Sequence, residues 1–479
     1  MAAAYLTAGP GPEFDGFFMD KTLRVDVFHT ADAALELFTL DKLYAYGTWA
    51  GSRTHLIDSF NNGRYYIKVY DKTSGSLLYS KGFNSYCGEY TTTGEAAEGI
   101  KKTYHETALI PFPKKTIDYA IEKRNRKYEL EEIFRLTIDP RDVGIIRDKI
   151  LDQNVQVFTA HKSGPPHQCV DIVILGEGYT RKETGKFKED LKRHADIFFQ
   201  WEPYRSYKNK FNISGVLKPS EESGTDEPRA GIFKNTALNS SFNAFGSERY
   251  LLTEDNRSLR DIASFAPYDA VMILVNHSRY GGGGIYNFYC TFTADTPFHS
   301  YIFIHEFGHS FAGLADEYYT SSVSYNDFYP RGMEPLEPNI TALLDPANPK
   351  WKNLIDENIS IPTPWEKKAF DEMDAAWQKK RGNMNEHISE LKRTGAPTEK
   401  IARAQQEYDK LDREHSMKVD VFLKESRYWG KVGAFEGAGY SSKGLYRPML
   451  NCIMFSKGEK PFCKICEAAI RKVILHTID

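Results

Sequence analysis

The chain has 479 residues, a formal net charge of −3 and no basic run, so nothing in it supplies the electrostatic footprint of a nucleic-acid-binding protein. Its 41% hydrophobic and 14% aromatic content suffices for packed cores and excludes a disordered chain, and no stretch of about twenty apolar residues is present to form a transmembrane helix. The length points to two domains or more.

Residues 1–14 lack the basic start and long apolar core of a signal peptide, which taken literally describes a cytoplasmic protein. Residues 1–150 read as an antiparallel β-sandwich of accessory type. Leu23-Arg24-Val25-Asp26-Val27, Tyr65 to Tyr70 and Leu130 to Ile138 are strand-like, and the turn Asp71-Lys72-Thr73-Ser74-Gly75 leads into Leu77-Leu78-Tyr79 as a hairpin. No pattern in this region carries chemistry. Asp139-Pro140-Arg141 to Asn154 reads as a linker to a second domain, 155–479.

That domain opens with a strand, Val170 to Leu175, and a helix from Arg181 to about Trp201 that buries Phe187, Leu191, Ile197 and Phe198. Phe211 to Leu217 is a further strand, and Lys218 to Arg229 an acidic, solvated loop. Asp269 to Asn276 reads as a buried strand, then come Gly281 to Gly284, then a strand over 285–293. The four glycines are read as too flexible to pack, a bulge that brings backbone near a ligand or simply a mobile loop tip. They are no phosphate cradle, since the Lys-Ser/Thr of a P-loop is missing.

Residues Phe303 to Tyr319 read FIHEFGHSFAGLADEYY. On a helix His305 and His309 project from one face toward a single metal ion, and Glu306 beside them can reach a bound water. The flanking Tyr301, Ile302, Phe303, Ile304, Phe307, Phe311 and Leu314 make this an apolar helix, in which ionisable groups must be satisfied; a metal does so. A catalytic zinc takes three protein ligands and keeps one position open. Gly313 is placed to end the helix in a left-handed turn and send the chain back under the metal. Asp316 or Glu317 then offers the third ligand, and spacing alone does not separate them.

Past Tyr319 the chain is irregular to about Pro364. Residues 365–424 then read as two charged helices, broken at Thr394-Gly395-Ala396-Pro397, each with a narrow apolar stripe: a helical-hairpin insertion. The glycine-rich stretch Gly433 to Tyr440 returns the chain to the site. Of six cysteines, Cys463 and Cys466 form a C-x-x-C that fits a redox pair, half a structural zinc site or buried thiols; no second such pair exists. Outside the cell a disulfide between Cys452 and one of the two is open as well.

The run HEFGHSFAGLADEYY resembles the signature of the bacterial IgA-peptidase-like zinc metallopeptidases, a variation on the metzincin pattern with an aspartate in place of the last histidine. Asp171 to Tyr179, Pro338-Asn339-Ile340-Thr341, Tyr446-Arg447-Pro448 and Phe462 to Cys466 resemble the family too, so the likeness spans roughly residues 155 to 479. The resemblance implies an α+β chain whose catalytic part is a metzincin-like mixed α/β zincin. It implies one catalytic Zn2+ on His305, His309 and Asp316, Glu306 as general base, and Met454 in Asn451-Cys452-Ile453-Met454-Phe455 as the floor under the metal. Phe455 stands where several metzincins carry a tyrosine, leaving Tyr318, Tyr319 and Tyr446 as substitutes. By analogy with zincins, Gly284, Ile285 and Tyr286 are candidates for an edge that binds extended peptide by strand addition. The implied substrate is a secreted or host protein, immunoglobulin-type or mucin-like glycoprotein included. The implied location is secreted, periplasmic or cell-surface, with the export signal removed. Two other classes fit the same residues: an inactive surface protein that binds glycan or protein, and a zinc hydrolase of a non-peptide substrate.

Overall fold

The computed structural model describes residues 12–479 apart from 321–328, 331 and 459. The opening segment 1–14, which lacks the pattern of a signal peptide, thus lies almost wholly outside the described residues, as does part of the irregular stretch after Tyr319. Among the described residues no helix is long and apolar enough to cross a membrane.

The N-terminal region holds two antiparallel sheets. One orders its strands Glu36–Tyr46, Phe18–Ala31, Lys102–Pro113, and the other Leu77–Phe83, Tyr65–Asp71, Ile117–Arg124, Leu130–Ile138. Inward residues of both, among them Val25, Ile110, Val69 and Tyr119, share one core. Residues 139–155 do not swing free: Ile145 is buried in that core, and Ile146 exchanges backbone hydrogen bonds with Leu43 and Ala45.

Behind these lies a six-stranded mixed sheet, ordered Gly282–Ile285, Tyr289–Thr293, Ala270–Val275, Val170–Glu177, Phe211–Leu217, Gln156–His161. Its inner pairings are parallel and its two outer ones antiparallel. Val170–Glu177 is buried at every position, as a strand covered on both faces must be. Ile172 and Ile174 face the helices Thr184–Phe198 and His299–Ala312. Val173 and Leu175 face the helix Asn256–Ala263 and the N-terminal tyrosines Tyr86, Tyr90 and Tyr104.

Three readings are corrected by the fold. The stretch 285–293 is a hairpin rather than one strand: Gly282–Ile285 is the outer strand, and the chain reverses at Asn287, whose φ is +53°. Asparagine is the non-glycine residue that best tolerates this conformation, a signal the β-rich flanks obscured. The glycines, taken as unfit for packing, are packed tightly: a Cβ on Gly283 would lie 2.4 Å from the Tyr250 ring. The acidic loop is more than a solvated turn, because Glu227 is buried and pairs with Arg279 at 3.0 Å and with Lys392 at 2.7 Å. Lys392 belongs to the helical hairpin Lys367–Arg393 and Thr398–Lys424, so this ion pair ties the hairpin to the sheet domain.

Candidate active site

The helix His299–Ala312 runs against the hairpin 282–293 and is buried at all but a few positions. Gly313 ends it in the left-handed conformation at φ +59°, where a Cβ would also collide with Asn62 Nδ2 at 2.1 Å. The turn sends the chain back beneath the helix. It places the carbonyl of Leu314 2.6 Å from His309 Nδ1 and carries Asp316 to the face shared by the two histidines.

There, three atoms converge. Asp316 Oδ1 lies 3.1 Å from His305 Nε2 and 3.2 Å from His309 Nε2, and the two Nε2 atoms are 3.1 Å apart. Each imidazole has its other nitrogen on a backbone carbonyl: His309 on Leu314, and His305 on Ile453 at 3.2 Å. A carbonyl only accepts, so both Nδ1 atoms carry the proton and both Nε2 atoms present lone pairs. Two lone pairs and a carboxylate oxygen facing one point at this spacing fit a divalent ion, since zinc holds such donors at about 2.0–2.2 Å. The field at this point calls for positive charge: burial disfavours a charged imidazole, yet the Asp316 carboxylate outweighs it and pushes His309 up to about 9, a demand that a metal ion would meet in place of a proton on Nε2. Burial would raise the Asp316 carboxyl, but the two histidines hold it well below the usual range.

Glu306 is buried in the same cleft, where burial raises its carboxyl and the histidines oppose the rise. Glu317 is not among these groups. Its side chain turns to the opposite side of the loop, toward Cys466 Sγ at 3.3 Å. Met454 is fully buried under the helix, with its Sδ 3.3 Å from where a Cβ of Gly308 would stand, and its carbonyl accepts from the Glu317 amide at 2.8 Å.

The cleft wall is built from several regions. Gly284 passes so close to the helix that a Cβ would come within 2.4 Å of the Glu306 carbonyl oxygen. Ile285 points away into the core on the other face of the sheet, and Tyr286 packs against Gly313 at the turn. The outer edge is already occupied at Gly282, whose carbonyl accepts from the Leu251 amide at 3.1 Å, so only a short length of edge remains open. Of the tyrosines considered, Tyr318 lines the cleft, with its ring nearly parallel to His305 and its hydroxyl accepting from Arg249 at 3.0 Å. Tyr319 is spent on Asp371 of the helical hairpin at 2.6 Å, and Tyr446 pairs its backbone with Thr341 outside the cleft.

Five further residues take part that no sequence motif singles out. Arg249 stands behind Tyr318; Tyr440 donates from its hydroxyl to Asp316 Oδ2; and Asn62, Asn84 and Glu89 bring the N-terminal region into the cleft wall. Gly437 and Gly439 just before Tyr440 are the local sign of the sharp turn there, where Tyr440 itself has φ +62°.

A family model described as IgA Peptidase M64 matches residues 158–474, and one described as Peptidase M64 N-terminus matches residues 13–135. The chain belongs to the IgA peptidase M64 family. Family membership makes it a peptidase, with protein as the class of substrate, and the M64 family is one of metallopeptidases. No curated protein matches the chain.

Proposed function

We propose that this M64 protein is a zinc-dependent endopeptidase of metzincin-like build, exported or surface-exposed, acting on secreted or host proteins. The observation that supports it most is the meeting of three lone-pair donors, from His305, His309 and Asp316, beside a buried glutamate and a glycine strand edge in one cleft. Zinc held by those three residues would acidify a water and polarise a peptide carbonyl.

The chain's own residues supply the rest. Glu306 accepts a proton from the attacking water and later delivers it to the leaving amine; burial raises its carboxyl and so suits it to both halves of that task. Tyr318, its hydroxyl oxygen already accepting from Arg249, has its own proton left to donate to the carbonyl oxygen as charge develops there. The open part of the edge at Gly284 lets an extended peptide approach within reach of the helix. Tyr440 and the carbonyls of Leu314 and Ile453 fix the orientation of the three donors.

The test is cleavage of a panel holding immunoglobulin A, a mucin-type glycoprotein and an unstructured protein, read by sequencing of new N-termini. Chelator-sensitive cleavage by the wild type, slowed about 10²- to 10⁴-fold in Glu306→Gln at unchanged metal content, is expected. Peptide cleavage at the wild-type rate by Glu306→Gln would overturn the assignment. Ester turnover without any peptide cleavage would transfer the site to a non-peptide hydrolase.

A further inference from the structure

The C-x-x-C of Cys463 and Cys466 has no second such pair in sequence, but the fold completes it from two other directions. Cys452 arrives from the turn that carries Met454, and Glu317 from the loop that carries Asp316; the four ligand atoms all lie within 4.8 Å of one another. We propose that Glu317, Cys452, Cys463 and Cys466 form a second metal site, structural in kind, for zinc or a similar thiophilic divalent cation. It would cross-link the active-site loop, the Met454 turn and the C-terminal helix Lys464–Thr477. The proposal does not depend on the catalytic reading of the first site.

The separations are those of a metal tetrahedron. Cys452 Sγ and Cys466 Sγ are 3.8 Å apart, and Glu317 Oε1 lies 3.3 Å from Cys466 Sγ and 3.8 Å from Cys463 Sγ. Sulfurs at about 2.3 Å and a carboxylate oxygen at about 2.1 Å from one zinc stand roughly 3.5 to 3.8 Å from each other. A disulfide, at about 2.05 Å, is far shorter than the observed sulfur distance, and would leave a third thiol and a carboxylate without a role. All six cysteines are free.

The surroundings are those of a ligand shell. Glu317 is fully buried, and its Oε2 has no hydrogen-bond partner among the described residues, a costly position for a carboxylate unless a cation meets it. Asn339 orients the oxygen that faces the sulfurs, donating to Oε1 at 3.1 Å while clamping the Ala315 backbone through both of its side-chain atoms. Amide protons point at sulfur: Cys463 N lies 3.3 Å from Cys452 Sγ, and Cys466 N lies 3.5 Å from Cys463 Sγ. Cys463 also caps the N-terminus of the last helix, where the backbone field favours a thiolate. Cys452 and Cys466 are 0% exposed and Cys463 is 2% exposed, so no coordination position opens to solvent, as in structural rather than catalytic zinc sites.

The decisive experiment counts metal in the full chain purified under reducing conditions. Two equivalents of zinc are expected in the wild type and one in His305→Ala/His309→Ala. After cobalt exchange that variant should show thiolate-to-cobalt charge-transfer absorption, which Cys463→Ser/Cys466→Ser should lack. Should the cysteine variant fail to fold, X-ray absorption of zinc in the histidine variant decides: three sulfur neighbours at about 2.3 Å support the site, and only nitrogen and oxygen neighbours overturn it. A histidine variant without metal, or a Cys452 disulfide in the mass spectrum of the protein as purified, also overturns it. The two readings fail separately: a single metal that survives His305→Ala/His309→Ala removes the catalytic assignment alone, and a single metal lost with it removes this one alone.

Discussion

Asp316 and Glu317 are adjacent in sequence and serve opposite clusters. Asp316 joins two imidazoles at the floor of an open cleft, while Glu317 joins three sulfurs in a volume sealed from water. The two side chains leave the loop in opposite directions, so one short segment reaches both clusters. The donor sets differ as their settings do. Imidazole and carboxylate leave an ion acidic enough to activate water, whereas a sulfur-rich, closed shell quenches that ability and serves cohesion. The loop after the active-site helix is thus gripped on two sides, by the imidazoles through Asp316 and by the sulfurs through Glu317.

The largest effect that sharpens the contrast is loss of a donor in the open cluster. His309→Ala should take peptidase activity below detection, yet leave the reactivity of the Cys452, Cys463 and Cys466 thiols unchanged in a titration of the native protein. Increased thiol reactivity would mean the two clusters are one unit. Next is Glu306→Gln, which removes the proton acceptor but no donor to the ion: kcat/KM should fall by about 10²- to 10⁴-fold with metal content unaltered. A smaller effect is expected from Tyr440→Phe, which deletes the hydroxyl bound to Asp316 Oδ2. Loss of such an orienting partner weakens metal affinity about 10- to 100-fold, and competition with a chromogenic chelator should find this at the open cluster alone. Equal weakening at the cysteine cluster would show that Tyr440 acts on the whole loop.

How far each cluster could be read from sequence follows from how local it is. His305, Glu306 and His309 are one helical turn, so their spacing alone carries the geometry. Asp316 and Glu317 were inseparable because what divides them is which neighbour each meets, and Glu317 meets sulfurs 146 and 149 residues away. The C-x-x-C announced half a site for the same reason. Glycine signals freedom in a sequence, whereas at Gly281, Gly283 and Gly284 the Phe242 ring, the Tyr250 ring and the Glu306 carbonyl leave no room for a Cβ. The helical hairpin was legible throughout, since its apolar stripe and its Gly-Ala-Pro break are local features. Arg249 reaches the cleft from a loop distant in sequence from the helix, and Asn62 and Asn84 only through the packing of the N-terminal region on the sheet domain, neither of which periodicity encodes.

The smallest effect concerns acid, and it bears on any attempt to strip the two clusters by lowering pH. His194 packs on the N-terminal half of the active-site helix, against His299 and Phe303. Burial pushes its imidazole down to about 3; the hydrogen bond from Nδ1–H to the Asp190 carbonyl at 2.8 Å offsets this in part, and the charges of Arg193 and His299 add to it. Above pH 6.5 the group is neutral in both folded and unfolded chains. Between about 6.5 and 3 only the unfolded chain binds the proton, so stability falls as pH falls, by up to about 1.4 kcal/mol per pH unit. His194→Leu should flatten the acid side of the unfolding midpoint between pH 6.5 and 5 while leaving the midpoint's response to chelator at neutral pH intact. If the variant keeps the wild-type acid slope, His194 is not the group whose proton uptake loosens the fold, and its burial as a neutral imidazole does not govern acid stability.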